Sequence, residues 1–169
     1  MEMDRQEVEC MHYQVDYDSP IGIIEIMGTK SHVTAVLFAE REHREHVQNE
    51  ETPEILKICY KQLDEYFNGK RQQFTVPYFF EGTSFQNNVW QALTTVPFGK
   101  TASYKEIAHQ IGNEKAVRAV GMTNSKNQIS IIVPCHRVIG ANGKLTGYAG
   151  GVWRKQWLLE HEKMAYLNK

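Results

Sequence analysis

The chain is short of cysteine and proline, with three of one and five of the other in 169 residues, and it has no long hydrophobic run. The thiols Cys10, Cys59 and Cys135 are odd in number and have no close pairing, which argues against a disulfide-stapled secreted scaffold and suits a reducing, cytoplasmic compartment. No apolar segment approaches the ~20 residues that cross a bilayer. The first ten residues are acidic and polar where a secretory signal is basic and then apolar, so no membrane partner is expected. Cys10 and His12 offer half of a zinc site, but no second close Cys/His pair stands nearby, and no metal or other cofactor is expected.

What is present supports a packed protein. A hydrophobic content of 41% is enough for one ordinary domain or two small ones. The net charge of −1 hides an asymmetry: residues 1–98 carry 8 Lys/Arg and 16 Asp/Glu (−8), residues 99–169 carry 11 and 4 (+7), and the two sum to −1. The second half is therefore the one suited to a polyanion, although a basic region can also simply balance an acidic one.

Residues 12–18, 22–27 and 32–38 read as strands of a small antiparallel sheet, punctuated by Ser19-Pro20 and Gly28-Thr29-Lys30. The charged stretch 40–51 reads as a solvated loop. Leu56, Cys59, Leu63 and Phe67 recur at helical spacing over 53–67, closed by Asn68-Gly69, so Cys59 should face a core. Residues 74–80 form a candidate strand interrupted by Pro77, and a helix should run from Ser84 to about Thr95. The expected architecture is α/β of the α+β kind: an N-terminal sheet-and-helix domain over 1–82, then a mostly helical domain over 83–169.

Within that second domain, 103–110, Ile111-Gly112-Asn113 and 114–125 read as helix, glycine turn and helix, with Ile107, Ala108, Ile111, Val117, Val120 and Met122 turned inward. That is the layout of a helix-turn-helix, whose second helix would carry Lys115, Arg118 and Lys126. A last helix should span 152–163, with Trp153, Trp157 and Leu158 available for packing. Between them, 129–133 reads as a short buried strand leading to Ile131-Ile-Val-Pro-Cys-His-Arg-Val138. Cysteine reacts as the thiolate, so a thiol followed at once by His136 and Arg137 has two candidate activators, while a buried structural cysteine is the plainer alternative.

These residues resemble the O6-alkylguanine-DNA alkyltransferases. Pro134-Cys135-His136-Arg137-Val138 is similar to that family's active-site signature, and the likeness extends from about Thr83 to Glu162. It takes in Phe85-Gln-Asn-Asn-Val-Trp90, Pro97-Phe-Gly99, Ser103-Tyr104, Arg118-Ala-Val-Gly121, Asn127, Tyr148-Ala-Gly-Gly151 and Trp157-Leu-Leu-Glu-His-Glu162. The resemblance implies single-use transfer of an alkyl group from O6 of guanine, less readily from O4 of thymine, in double-stranded DNA to Cys135, with the base flipped out. A monomer is expected.

The resemblance also assigns roles. His136 takes the thiol proton through a water, Glu162 orients the histidine, Tyr104 donates to the guanine ring, and Asn127 is the hinge between recognition helix and nucleophile. Arg118 replaces the flipped base in the stack, and the small Ala119 and Gly121 let the helix into the minor groove, with Ser103, Lys115 and Lys126 as further DNA contacts. Val138, Ser130, Tyr148, Ala149, Gly150 and Lys155 line the pocket, Lys155 having a phosphate contact as its alternative. Gln128 stands where the family usually has proline, and Ser130 where some relatives have a second one, which implies a less rigid wall and an altered tolerance of bulky alkyl groups. Two rivals remain: a helix-turn-helix DNA-binding regulator or non-catalytic lesion sensor, and a thiol hydrolase or redox enzyme.

Overall fold

The computed structural model describes residues 11–167, so Cys10, one of the two zinc candidates, lies outside the described residues. The chain divides into two compact units, one ending at Phe79 and the next beginning at Phe80. Among the described residues no helix is long and apolar enough to cross a membrane. None of their His, Cys, Asp and Glu side chains gather in a group of three or more that could hold a metal ion.

The first unit is a meander of β1 (Tyr13–Ser19), β2 (Gly22–Gly28) and β3 (Val33–Ala39), followed by α1 (Glu54–Phe67). The strands pair antiparallel in the order β1-β2-β3. Val15, Ile24, Ile26, Val33 and Val36 are buried, and α1 packs on the sheet through Leu56, Cys59, Leu63 and Phe67. Burial raises the Cys59 thiol to about 12, as suits an inert core residue. The candidate strand over 74–80 reduces to a single bridge between Val33 and Tyr78. Pro77 contributes its carbonyl to the Val33 N–H but has no N–H with which to continue a ladder.

The charged loop after β3 is tied down by one buried carboxylate. Asp16 accepts from the backbone N–H groups of Glu45 (2.8 Å) and His46 (2.9 Å), from Gln14 Nε2 (3.1 Å) and from Arg41 Nη2. Burial alone would raise its pKa, but the His46 N–H, Arg41 and the other donors hold it at about 2. A folded pKa below the unfolded one adds stability that is fully present above the unfolded value of 3.8 and is lost as pH falls through about 2. Asp16→Asn should therefore cost about 2 kcal/mol at neutral pH. Amide hydrogen exchange in β1 and β2 should show the loss, and the difference from the parent should close as pH falls toward 2.

The second unit is mostly helical: α2 (Ser84–Leu93), β4 (Ala102–Ser103), α3 (Tyr104–Gln110), α4 (Val117–Ser125), β5 (Val138–Ile139) and α5 (Val152–Leu167). Capping boxes start α2 at Thr83/Gln86 and α3 at Ser103/Glu106, and each satisfies two N–H groups. Gly112, in the left-handed region at φ 77°, ends α3, and the Asn113 N–H returns to the Ala108 carbonyl. Helix α4 begins three residues later than its sequence pattern suggests. Asn113–Ala116 closes a turn, and Glu114 is held by His109 at 2.6 Å, so Lys115 lies ahead of the helix rather than on it. Val120, Thr123 and Asn124 form the buried face of α4, whereas Val117 and Met122, expected inside, are exposed. Trp153 also remains exposed, with the Arg154 guanidinium 4.5 Å over its ring.

The strand expected over 129–133 is a turn. Its β-branched side chains are buried as the pattern requires, but the backbone bonds locally: Ile132 N–H to Ser130 O (2.8 Å), Val133 N–H to Ile129 O (3.0 Å) and Cys135 N–H to Val133 O (2.8 Å). Ile131 takes φ 72°, a left-handed conformation that a β-branched residue enters only under constraint. Asn127 supplies that constraint by taking the place a neighbouring strand would occupy.

Candidate active site

Cys135 begins a single turn of 3-10 helix, Cys135–Arg137, between this constrained turn and β5. The Asn127 carboxamide accepts from the Ile129 N–H (3.0 Å) and donates from Nδ2 to the carbonyls of Val133 (2.9 Å) and Ile129 (3.3 Å) and to Cys135 Sγ (3.1 Å). One buried side chain thus shapes the turn and touches the sulfur. Strand β5 pairs in parallel with β4, Ala102 opposite Val138 and Ser103 opposite Ile139, which places Tyr104, the first residue of α3, beside the segment that follows the cysteine.

Cys135 is 2% exposed, and burial raises its thiol to about 11 against the opposing effects of the Asn127 hydrogen bond, the Lys155 charge and the N–H groups of Cys135 and His136. The resting group is a protonated thiol, so proton removal has to accompany reaction. The adjacent histidine is arranged for that. His136 Nε2 lies 2.6 Å from Glu162 Oε2, and Nδ1 is buried without a partner among the described residues.

Burial would raise the Glu162 pKa, but His136 and Arg137 hold the carboxyl well below the usual range. An ionised carboxylate only accepts, so the proton between the two groups sits on Nε2 and leaves Nδ1 as a bare lone pair. Burial also lowers the His136 pKa more than Glu162 raises it, which keeps the ring neutral and able to take a proton.

Arg137 turns away from the sulfur. Its Nε and Nη2 grip Glu162 at 2.7 and 3.1 Å and its Nη1 donates to the Val96 carbonyl at 2.8 Å, while the Gly99 N–H lies 3.3 Å from Glu162 Oε1. The arginine offered by sequence as a thiol activator is instead the partner of the orienting carboxylate.

Lys155 is fully buried, not placed to meet a phosphate at the surface. Its Nζ donates to the carbonyls of Val138 and Thr146 (2.8 Å) and to Tyr104 Oη (3.4 Å). Burial lowers it to about 8, partly offset by Cys135. Tyr104 in turn donates to the Thr146 carbonyl (3.0 Å). Tyr148 is buried near the same sulfur and Ser130, and burial raises its phenol well above the ordinary value. Gly150 O accepts from Arg154 Nη1 at 3.0 Å, and Gly151 sits at φ 94°, which closes the loop onto α5.

Two family models match this chain: the 6-O-methylguanine DNA methyltransferase ribonuclease-like domain over residues 11–78 and the DNA binding domain of the same name over residues 84–164. The chain belongs to the 6-O-methylguanine DNA methyltransferase family. It is 47% identical over 154 residues to a methylated-DNA–protein-cysteine methyltransferase of Methanosarcina acetivorans, covering 90% of this chain and 98% of that protein. The crystal structure of the Mycobacterium tuberculosis O6-methylguanine methyltransferase superposes with a TM-score of 0.82 at 45% identity, over 92% and 94% of the two chains. The M. tuberculosis protein in complex with DNA gives 0.80 at 49%, over 89% and 92%.

The fold gathers Cys135, His136, Glu162, Asn127, Tyr104, Lys155, Val138, Ser130 and Tyr148 around the cysteine turn, linked by hydrogen bonds and by charge interactions. Arg118, Ala119, Lys115 and Lys126 lie apart from it, exposed along α4 and its ends, with Gly121 half-buried against Tyr104. Ser103 uses its hydroxyl to cap α3, and Ala149 is exposed. Gln128 is exposed, whereas Ser130 is buried against Tyr148. Arg137's grip on Glu162 and on the Val96 carbonyl, and Tyr104's bond to the Thr146 carbonyl, carry no sequence signal, since each joins positions far apart in the chain.

Proposed function

We propose that this chain repairs DNA by moving a methyl or other alkyl group from O6 of guanine in a duplex to Cys135, once per molecule. The observation that carries the proposal is the buried Cys135 with Asn127 on its sulfur, followed by a neutral histidine whose outer nitrogen is fixed by an ionised Glu162. The sulfur attacks the carbon on O6. An S–C bond forms as the C–O6 bond breaks, and the electron pair goes to the purine. The thiol proton passes through a water to His136 Nδ1, and Glu162 stabilises the resulting imidazolium, the nucleophile, base and orienter arrangement. Tyr104, whose oxygen receives a hydrogen bond from Lys155, swings its one O–H from the Thr146 carbonyl to the purine and donates to it as the negative charge develops. The thioether has no facile leaving route, so the protein is consumed. Transfer to O4 of thymine would follow the same steps less readily.

The alkylated base has to leave the stack to reach a buried sulfur, at a cost of a few kcal/mol. Arg118 on the exposed face of α4 is proposed to fill the gap, with Ala119 and Gly121 allowing close approach to the minor groove and Lys115 and Lys126 meeting phosphates. Such contacts carry little sequence readout, as suits a protein that acts in any context. A reducing cytoplasm keeps the thiol free. The regulator and lesion-sensor alternative does not call for a base held beside a thiol. Intact-protein mass spectrometry after incubation with an O6-methylguanine duplex should show one added methyl mapped to Cys135. Cys135→Ser should stay unmodified, and DNA binding without any mass gain in the parent would favour the regulator.

A further inference from the structure

Asn124 sits on the buried face of α4, 1% exposed, and its Nδ2 donates to the Cys135 carbonyl at 3.3 Å. Among the described residues its Oδ1 has no partner. Reversing the amide would set two oxygens against each other, so the donor assignment follows from the chemistry. A buried polar group with half its capacity unmet is costly to keep inside. The bond that holds it inward reaches the nucleophile's own backbone. The Cys135 carbonyl and the His136 N–H belong to one peptide unit, and that N–H is among the groups that oppose the rise of the thiol pKa. Hydrogen bonds arranged in series through one amide strengthen one another.

We propose that Asn124 is a positioning residue for the nucleophile: by donating to the Cys135 carbonyl it fixes and polarises the Cys135–His136 peptide, whose positive N–H end follows the sulfur in the chain, and so stabilises the developing thiolate from α4. Asn127 acts on the sulfur directly, whereas Asn124 acts through the peptide, from the helix that carries Arg118. The other charged or titratable groups acting on Cys135 are the adjacent His136, Lys155 from α5 and Tyr148 from the loop before α5, while Arg137, Glu162 and Arg154 act on His136 or Tyr148; none of these is altered by changing Asn124. The inference rests on Cys135 as the nucleophile.

The test is an NMR titration of protein carrying carbon-labelled cysteine Cβ, with Cys59 as internal reference. In Asn124→Ala the Cys135 thiol should titrate about half a unit higher, which leaves about threefold less thiolate at a given pH below the midpoint, while Cys59 is unchanged. Should that variant fail to fold, Asn124→Ser, whose hydroxyl is too short to reach the carbonyl, gives the same readout. Asn124→Gln, which keeps the donor, should recover part of the shift. A variant with lowered Tm and an unmoved Cys135 midpoint would overturn the proposal and leave Asn124 a packing residue. Wild-type protein that takes up no methyl from a damaged duplex would instead overturn the assignment of Cys135, which is a separate result.

Discussion

Glu162→Gln will slow alkyl transfer to Cys135 by roughly a hundredfold while leaving DNA binding close to that of the parent. The glutamine has nearly the same shape but no charge, so it cannot hold the proton on His136 Nε2 as strongly or stabilise the imidazolium. Its amide also brings an N–H against Arg137, which now grips both carboxylate oxygens. Breaking a buried ion pair by neutralising one partner costs on the order of 3–5 kcal/mol. The variant should therefore lose stability as well as rate, and single-turnover kinetics below its melting range separate the two. An unchanged rate would show that His136 needs no orienting carboxylate. In the parent, Glu162 has a folded pKa below its unfolded value, so its contribution is complete above the ordinary carboxylate range and is lost as pH falls below it. The parent and Glu162→Gln should converge in stability in strong acid.

Arg118→Ala should reduce the rate on an O6-methylguanine duplex by roughly thirtyfold or more, the equivalent of about 2 kcal/mol of the cost of extruding a base, and should barely change the reaction with a free O6-alkylguanine base. Arg118 is exposed on α4 and touches none of the cluster around Cys135, so the free base should not sense its removal. Equal losses on both substrates would assign Arg118 to the fold or the pocket. Phosphate contacts predict a different pattern. Replacing Lys115 or Lys126 should weaken binding to all duplexes alike and flatten its dependence on salt.

The degree to which the sequence disclosed this architecture depends on the range of the forces involved. The sheet of the first unit and the helix at Glu54–Phe67 were legible because period and punctuation are local, and Leu56, Cys59 and Leu63 announce a buried face on their own. The turn at 129–133 was not, because its β-branched residues favour a strand and a single Asn127 side chain outweighs that preference by supplying the bonds of a missing neighbour. The start of α4 was misplaced for a similar reason, since Glu114 is drawn to His109 instead of into the helix.

At the site, Cys135 and His136 stand side by side and could be singled out from residue chemistry, whereas Glu162 was reached only through family likeness, 27 positions away in the chain. Arg137 had the right residue type and the wrong partner. Asn124 gave no signal at all, because an asparagine within a helix pattern reads as an ordinary polar position until the helix is docked against the cysteine turn.

Single use of one sulfur is the claim on which the rest depends, and counting methyl groups tests it most directly. Protein mixed with a tenfold excess of O6-methylguanine duplex and followed to completion by intact mass should stop at one methyl per chain, on Cys135, with an equal amount of guanine restored in the DNA. Restoration that continues beyond one equivalent, or a methyl found on any residue other than Cys135, would contradict the account.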